Sequence, residues 1–138
     1  MLKAKDIMQT NLITVTEQTP IHEVINVLAE NKITGVPVVD GDDRLVGIIS
    51  EKDILIMAYH KITDTDDEVM NSRKISNVMT SEVVSFRPED NLADICQCFM
   101  SNPFRRVPIL DDGKLVGLIS RKDVVSFAFS KRQVANQA

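Results

Sequence analysis

The chain has 138 residues, enough for one domain or two small units sharing a core. A formal net charge of −4 and an aromatic content of 4% argue against nucleic-acid binding. No apolar run approaches the roughly 20 residues of a membrane span. The opening MLKAKDIMQT lacks the apolar core of a signal peptide, and two cysteines make no disulfide framework, so a cytoplasmic protein is expected.

Residues 12–15 read as a short strand. Ile21, Val24, Ile25, Leu28 and Ala29 follow helical spacing and form one apolar face, with Thr19 as N-cap and Pro20 as the first helical residue. Residues 36–39 and 45–49 are β-rich runs flanking a turn-forming cluster at 40–43. A second helix is expected over 51–60. The stretch 61–74, KITDTDDEVMNSRK, is a polar connector. Residues 83–86 then read as a strand. Leu92, Ile95, Cys96, Phe99 and Met100 repeat the apolar helical face, with Asp90 as its cap. Strands at 107–110 and 115–119 flank the turn 111–113, and a helix covers 121–130. The tail 131–138, KRQVANQA, is polar and expected to fray.

The same series has been written twice. An offset of 71 puts Met8 on Met79, Asn31 on Asn102 and Pro37 on Pro108. One residue is then lost in the turn, and an offset of 70 puts Gly47 on Gly117, Ser50 on Ser120 and Asp53 on Asp123. Each unit is β-α-β-β-α, covering residues 1–60 and 75–130. A single unit has a small core, so two units packed sheet to sheet are expected, in the α+β class. The helices 51–60 and 121–130 are apolar all round, which predicts a homodimer built on them, or their burial inside the monomer.

Ser50 and Ser120 each end a strand and begin a helix, with Asp53 and Asp123 three residues on. Two explanations stand side by side. A Ser at N-cap with an acid at N3 is close to a capping box. A carboxylate at a helix start can also accept two hydrogen bonds from a vicinal diol such as a ribose, with the hydroxyl adding a third contact. Gly47 and Gly117, inside the strands, suggest close approach of another group.

DIM and NVMT, GVPVVD and RVPILDD, LVGIISEKDI and LVGLISRKDV occur in register in the two copies. This series resembles paired CBS domains, the Bateman module, over roughly residues 2–130. The resemblance implies two tandem CBS motifs packed as one pseudo-twofold module, with clefts at their junction that take AMP, ADP, ATP or S-adenosylmethionine. It implies that Asp53 with Ser50, and Asp123 with Ser120, hold the ribose. It puts Ile33, Gly35, Val36 and Pro37, and Phe104, Arg105, Arg106, Val107 and Pro108, near base or phosphates. Thr14, Val15 and Phe86 would line the base pocket. It also implies a flat homodimer.

Copy two carries Arg105 and Arg106 where copy one has Thr34 and Gly35, and Arg121 where copy one has Glu51. Arg is well matched to phosphate oxygens, so a phosphate-bearing ligand is expected there, the alternative being a solvated basic edge. Cys96 and Cys98 diverge on a helix and have no third ligand, so no metal is expected. His22 and His60 do not recur beside either Ser, and there is no nucleophile elbow or Walker phosphate loop, so no enzyme is expected. The function expected is a regulatory binding module acting through an unknown effector protein. The alternative is a dimerising adaptor with no small-molecule ligand.

Overall fold

The computed structural model describes residues 1–63 and 74–137. It contains α1 (Ala4–Ile7), α2 (Ile21–Asn31), β1 (Gly35–Val39), β2 (Leu45–Ser50), α3 (Glu51–Thr63), α4 (Ile75–Val78), α5 (Leu92–Ser101), β3 (Arg106–Asp111), β4 (Lys114–Ser120) and α6 (Arg121–Gln137). The chain forms two compact units. One is Met1–Leu12 with Val84–Ala138, and the other is Ile13–Val83.

Each unit is built on an antiparallel hairpin, β1 with β2 and β3 with β4. Both hairpins slip register at the same place, leaving Val46 and Val116 as the extra bulge residues next to Gly47 and Gly117. The turns differ. Asp112 and Gly113 have φ 53° and 80°, the two-residue left-handed turn that suits an antiparallel pair. The longer turn is closed by Asp40, whose Oδ1 accepts the backbone N–H groups of Asp42 and Arg44 at 2.9 and 3.0 Å.

The strands expected at 12–15 and 83–86 shrink to single parallel bridges. Val15 donates to Pro37 O and accepts from Val39 N, and Phe86 does the same with Pro108 and Leu110. No neighbouring residue of either segment makes the next rung, so no strand propagates.

The leading segments exchange places relative to the repeats. Gln9 pairs with Leu118, and Thr80 pairs with Ile48, both antiparallel. The motif starts DIM and NVMT therefore dock on the hairpin of the other copy. Ala4 joins a core of Leu92, Ile95, Phe99, Val107, Ile109 and Ile119. Ile75 joins a core of Val15, Val24, Leu28, Val36, Val38 and Ile49. Fully burying one such aliphatic side chain stabilises by roughly 1.5–3 kcal/mol.

The close approach at Gly47 and Gly117 is made by the chain itself. A Cβ on Gly47 would lie 2.6 Å from Met79 Sδ and 2.8 Å from the Thr80 carbonyl oxygen. A Cβ on Gly117 would collide with Met8 Sδ. These glycines admit the docked methionine, which removes the support they lent to a ligand clamp.

Thr19 and Asp90 do not cap their helices; Pro20 and Asn91 occupy the N-cap positions without side-chain bonds. Thr19 Oγ1 and Asp90 Oδ2 instead reach back to the backbone N–H groups of Thr16 and Arg87, at 3.0 and 2.7 Å, and close the preceding turn. The buried stripe of α2 is narrower than expected. It contains Val24 and Leu28, while Ile25 and Ala29 are exposed, because a two-stranded hairpin covers only part of a helix face. α3 runs to Thr63 and α6 to Gln137, so the first residues of the connector and nearly all the expected tail are helical backbone. Most of the connector, 64–73, lies outside the described residues.

The apolar helices do not bury all their faces within the chain. Leu55 and Tyr59 of α3 are 67% and 62% exposed, and Val125 and Phe129 of α6 are 57% and 61% exposed. No helix among the described residues is long and apolar enough to cross a membrane.

Candidate functional site

Both Ser-x-x-Asp motifs form complete capping boxes. Ser50 Oγ accepts the Asp53 N–H at 3.2 Å, and Asp53 Oδ2 accepts the Ser50 N–H at 2.8 Å. Ser120 Oγ accepts the Asp123 N–H at 3.0 Å, and Asp123 Oδ2 accepts the Ser120 N–H at 2.9 Å. Asp reaches the N-cap N–H despite being one methylene shorter than the usual Glu. The cap explanation is therefore realised in both copies. It consumes only one oxygen of each carboxylate.

The hairpin register places the start of each first strand beside the Ser. Gly35 pairs with Ser50 and Arg106 with Ser120. Each helix is tied to the same segment, because Glu51 N donates to Thr34 O at 2.8 Å and Arg121 N donates to Arg105 O at 2.9 Å. The structure thus gathers Thr34, Gly35, Ser50 and Asp53 in one unit, and Arg105, Arg106, Ser120 and Asp123 in the other.

Arg105 is exposed and Arg106 is half-buried. Burial pushes the Arg106 guanidinium below its ordinary pKa; the positive Arg105 pushes the same way, and Asp123 partly offsets both. It stays charged at neutral pH, since a guanidinium is protonated throughout. Two adjacent cations, one partly desolvated, favour an anion beside them.

Other expected site residues sit elsewhere. Arg121 turns away from the motif. Its Nη2 donates to the carbonyls of Phe99 and Asn102 at 3.2 and 2.7 Å, which satisfies the open end of α5. Val15, Val36 and Val107 have their side chains in the unit cores, and Pro37 and Pro108 are fully buried. They hold the backbone of the site in place. Ile33 and Phe104 are partly buried against those cores, and Phe86 packs against the same core as Phe104. Thr14 is exposed beside Val15.

Sequence reasoning missed one residue. Gln9 Nε2 donates to Asp123 Oδ1 at 2.8 Å. Gln9 differs from its counterpart Thr80, but most neighbouring pairs differ too, so the repeat did not single it out.

Among the described residues no three His, Cys, Asp or Glu side chains gather as a metal site, and Cys96 and Cys98 are free thiols. The Ile13–Val83 unit also carries a half-open groove of about 820 Å³. It runs between the start of α2, α3 and α4, past Glu17, Gln18, Ile25, Met57, Lys61 and Lys74, and includes neither Ser50 nor Asp53.

The chain is similar to known proteins over nearly its whole length. It is 28% identical to the uncharacterized protein MJ1225 of Methanocaldococcus jannaschii, over 96% of this chain and 46% of that protein. It therefore spans less than half of that relative. Among solved structures it resembles CBSX2, an Arabidopsis thaliana CBS-pair protein, in complex with AMP. The TM-score is 0.83 at 30% identity, covering 94% of this chain and 98% of that one. It also resembles the CBS domain pair of protein MJ0100 in complex with 5-methylthioadenosine and S-adenosyl-L-methionine, with a TM-score of 0.77 at 25% identity, covering 94% and 98%. The CBS domain model matches twice, at residues 4–58 and 75–130. The chain belongs to the CBS domain family and carries two CBS motifs in tandem.

Proposed function

We propose that the chain is a regulatory module that binds an adenosine-containing ligand, AMP, ADP, ATP or an S-adenosylmethionine-like molecule, and performs no catalytic step of its own. The observation that carries this is the placement of a helix-start carboxylate beside the start of the first strand in each unit, with Asp53 next to Ser50 and Gly35 and Asp123 next to Ser120 and Arg106. A ribosyl diol donates to such a carboxylate, and hydrogen bonds to an ionised acceptor are the strong ones. A phosphate fits beside Arg105 and Arg106, whose planar forks match its oxygens. The similar CBS pairs seen with AMP and with S-adenosyl-L-methionine support the ligand class.

Output then requires a partner protein. A ligand shifts a conformational equilibrium only by its differential affinity for the two states. A homodimer through α3 and α6 would cover the exposed Leu55, Tyr59, Val125 and Phe129. Free cysteines suit a reducing, cytoplasmic setting. The dimerising adaptor is the second reading, favoured by capping boxes that are complete without a ligand.

The test is thermal unfolding against AMP, ADP, ATP, adenosine and S-adenosylmethionine, with Arg105→Ala/Arg106→Ala alongside. Ligand at 100 times its Kd stabilises one site by about 2.7 kcal/mol, a shift of several degrees. Phosphate contact predicts that the double variant loses the AMP shift and keeps the adenosine shift. No shift with any ligand at millimolar concentration leaves the adaptor.

A further inference from the structure

The two motif carboxylates are not in the same state. Asp53 Oδ2 accepts the Ser50 N–H at 2.8 Å and the Ser50 hydroxyl at 2.9 Å, while its Oδ1 has no hydrogen bond among the described residues. Asp123 Oδ2 accepts the Ser120 N–H at 2.9 Å, and its Oδ1 is taken by the Gln9 amide at 2.8 Å. The residue in the position of Gln9 on the other hairpin is Thr80. It makes the same pair of backbone bonds, to Ile48 at 2.9 Å in both directions. Its side chain is too short to copy the amide, and it makes no bond to Asp53 among the described residues.

A cis-diol needs carboxylate oxygens as acceptors. At Asp53 one is open. At Asp123 the Gln9 amide takes one acceptor position of Oδ1, so a diol must share that oxygen with it or displace it. We infer that Gln9 is a specificity-determining residue, which lowers the affinity of Asp123 for a ribosyl diol and makes Asp53 the first site to fill. The inference rests on the adenosyl-binding function proposed above. Gln9 can be changed without undocking its segment, because its backbone is held independently. Gln9 N donates to Leu118 O at 2.9 Å and Leu118 N to Gln9 O at 3.0 Å.

The experiment is calorimetric titration of the full chain with adenosine. It compares the wild type with Gln9→Met, Thr80→Gln, Asp53→Ala and Asp53→Ala/Gln9→Met. Gln9→Met keeps the length and removes the donor. The wild type is expected to show a tight and a weak site, and Asp53→Ala to keep only the weak one. Adding Gln9→Met should tighten that weak site about tenfold. Thr80→Gln, which leaves both capping boxes intact, should weaken the tight site. The Gln9 side-chain amide resonance should move only as the weak site fills. Adenosine binding that ignores both Gln9→Met and Thr80→Gln overturns the inference and spares the proposed function. No heat in any variant overturns both.

Discussion

The two units share a hairpin, a bulge, a docked methionine and a capping box, and they differ in how the docked segment is fastened. In the unit containing the N-terminus, Ala4 N donates to Asp90 O at 2.8 Å, Lys5 N to Pro88 O at 3.0 Å and Leu92 N to Leu2 O at 2.9 Å. Lys3 and Lys5 both pair with Glu89, at 2.9 and 3.1 Å. In the Ile13–Val83 unit the corresponding positions hold Lys74, Ser76 and Gln18. Among the described residues Ile75 and Ser76 make no such backbone bonds. That stretch lines the open groove instead. Apolar anchors are common to both units because each core needs them. The polar fasteners have diverged, since each contributes little alone, and with them the state of the two carboxylates.

The largest difference between the units is expected at the glycines. Gly47→Ala meets the Thr80 carbonyl as well as Met79, and backbone cannot yield cheaply. The three atoms nearest to a Cβ on Gly117 all belong to the Met8 side chain, whose sulfur end can move. Overpacking of this kind costs about 1–3 kcal/mol, so Gly47→Ala should fall toward the upper end and Gly117→Ala toward the lower in urea unfolding. Equal losses would show that the Thr80 carbonyl adds nothing to the clash at Gly47.

Removing a capping acid comes next. Asp53→Ala and Asp123→Ala should each cost about 1 kcal/mol in the absence of ligand, read as midpoint shifts. Arg121→Ala removes the donor to Phe99 and Asn102 and should cost about 0.5–1.5 kcal/mol, while Glu51→Ala in the other unit should change little.

The smallest effect is expected at Glu89. Its carboxyl is held below the ordinary value of 4.5, first by hydrogen bonds from Lys3 and Lys5 and then by their charge. A depressed folded-state pKa means the contribution is present above 4.5 and lost as pH falls through the folded value. The difference between wild type and Glu89→Gln should therefore vanish in acid, and salt should shrink it at neutral pH.

The repeat, both hairpins and all four long helices were legible in the sequence, because β-rich runs around turn residues, amphipathic faces and long apolar stretches survive without tertiary context. The segment exchange was not. Ala4 and Ile75 are both apolar and Met8 and Met79 are the same residue type, so local pattern cannot choose between the two hairpins. The site was legible as Ser-x-x-Asp, and cap against clamp was not decidable from spacing that serves both. Arg121 misled because a cation near a phosphate segment reads the same whether it faces a ligand or the carbonyl end of α5. The bridges at Val15 and Phe86 read as strands because their neighbours are β-prone, yet only one residue of each finds partners.

The most direct test is equilibrium dialysis with AMP, and separately with S-adenosylmethionine. It compares the wild type with Asp53→Ala, Asp123→Ala and the double variant, each checked for retained secondary structure. Saturable uptake is expected in the wild type, a loss in each single variant, and none in the double variant. Uptake that survives in the double variant, or a wild type that takes up neither ligand, would contradict the proposed function.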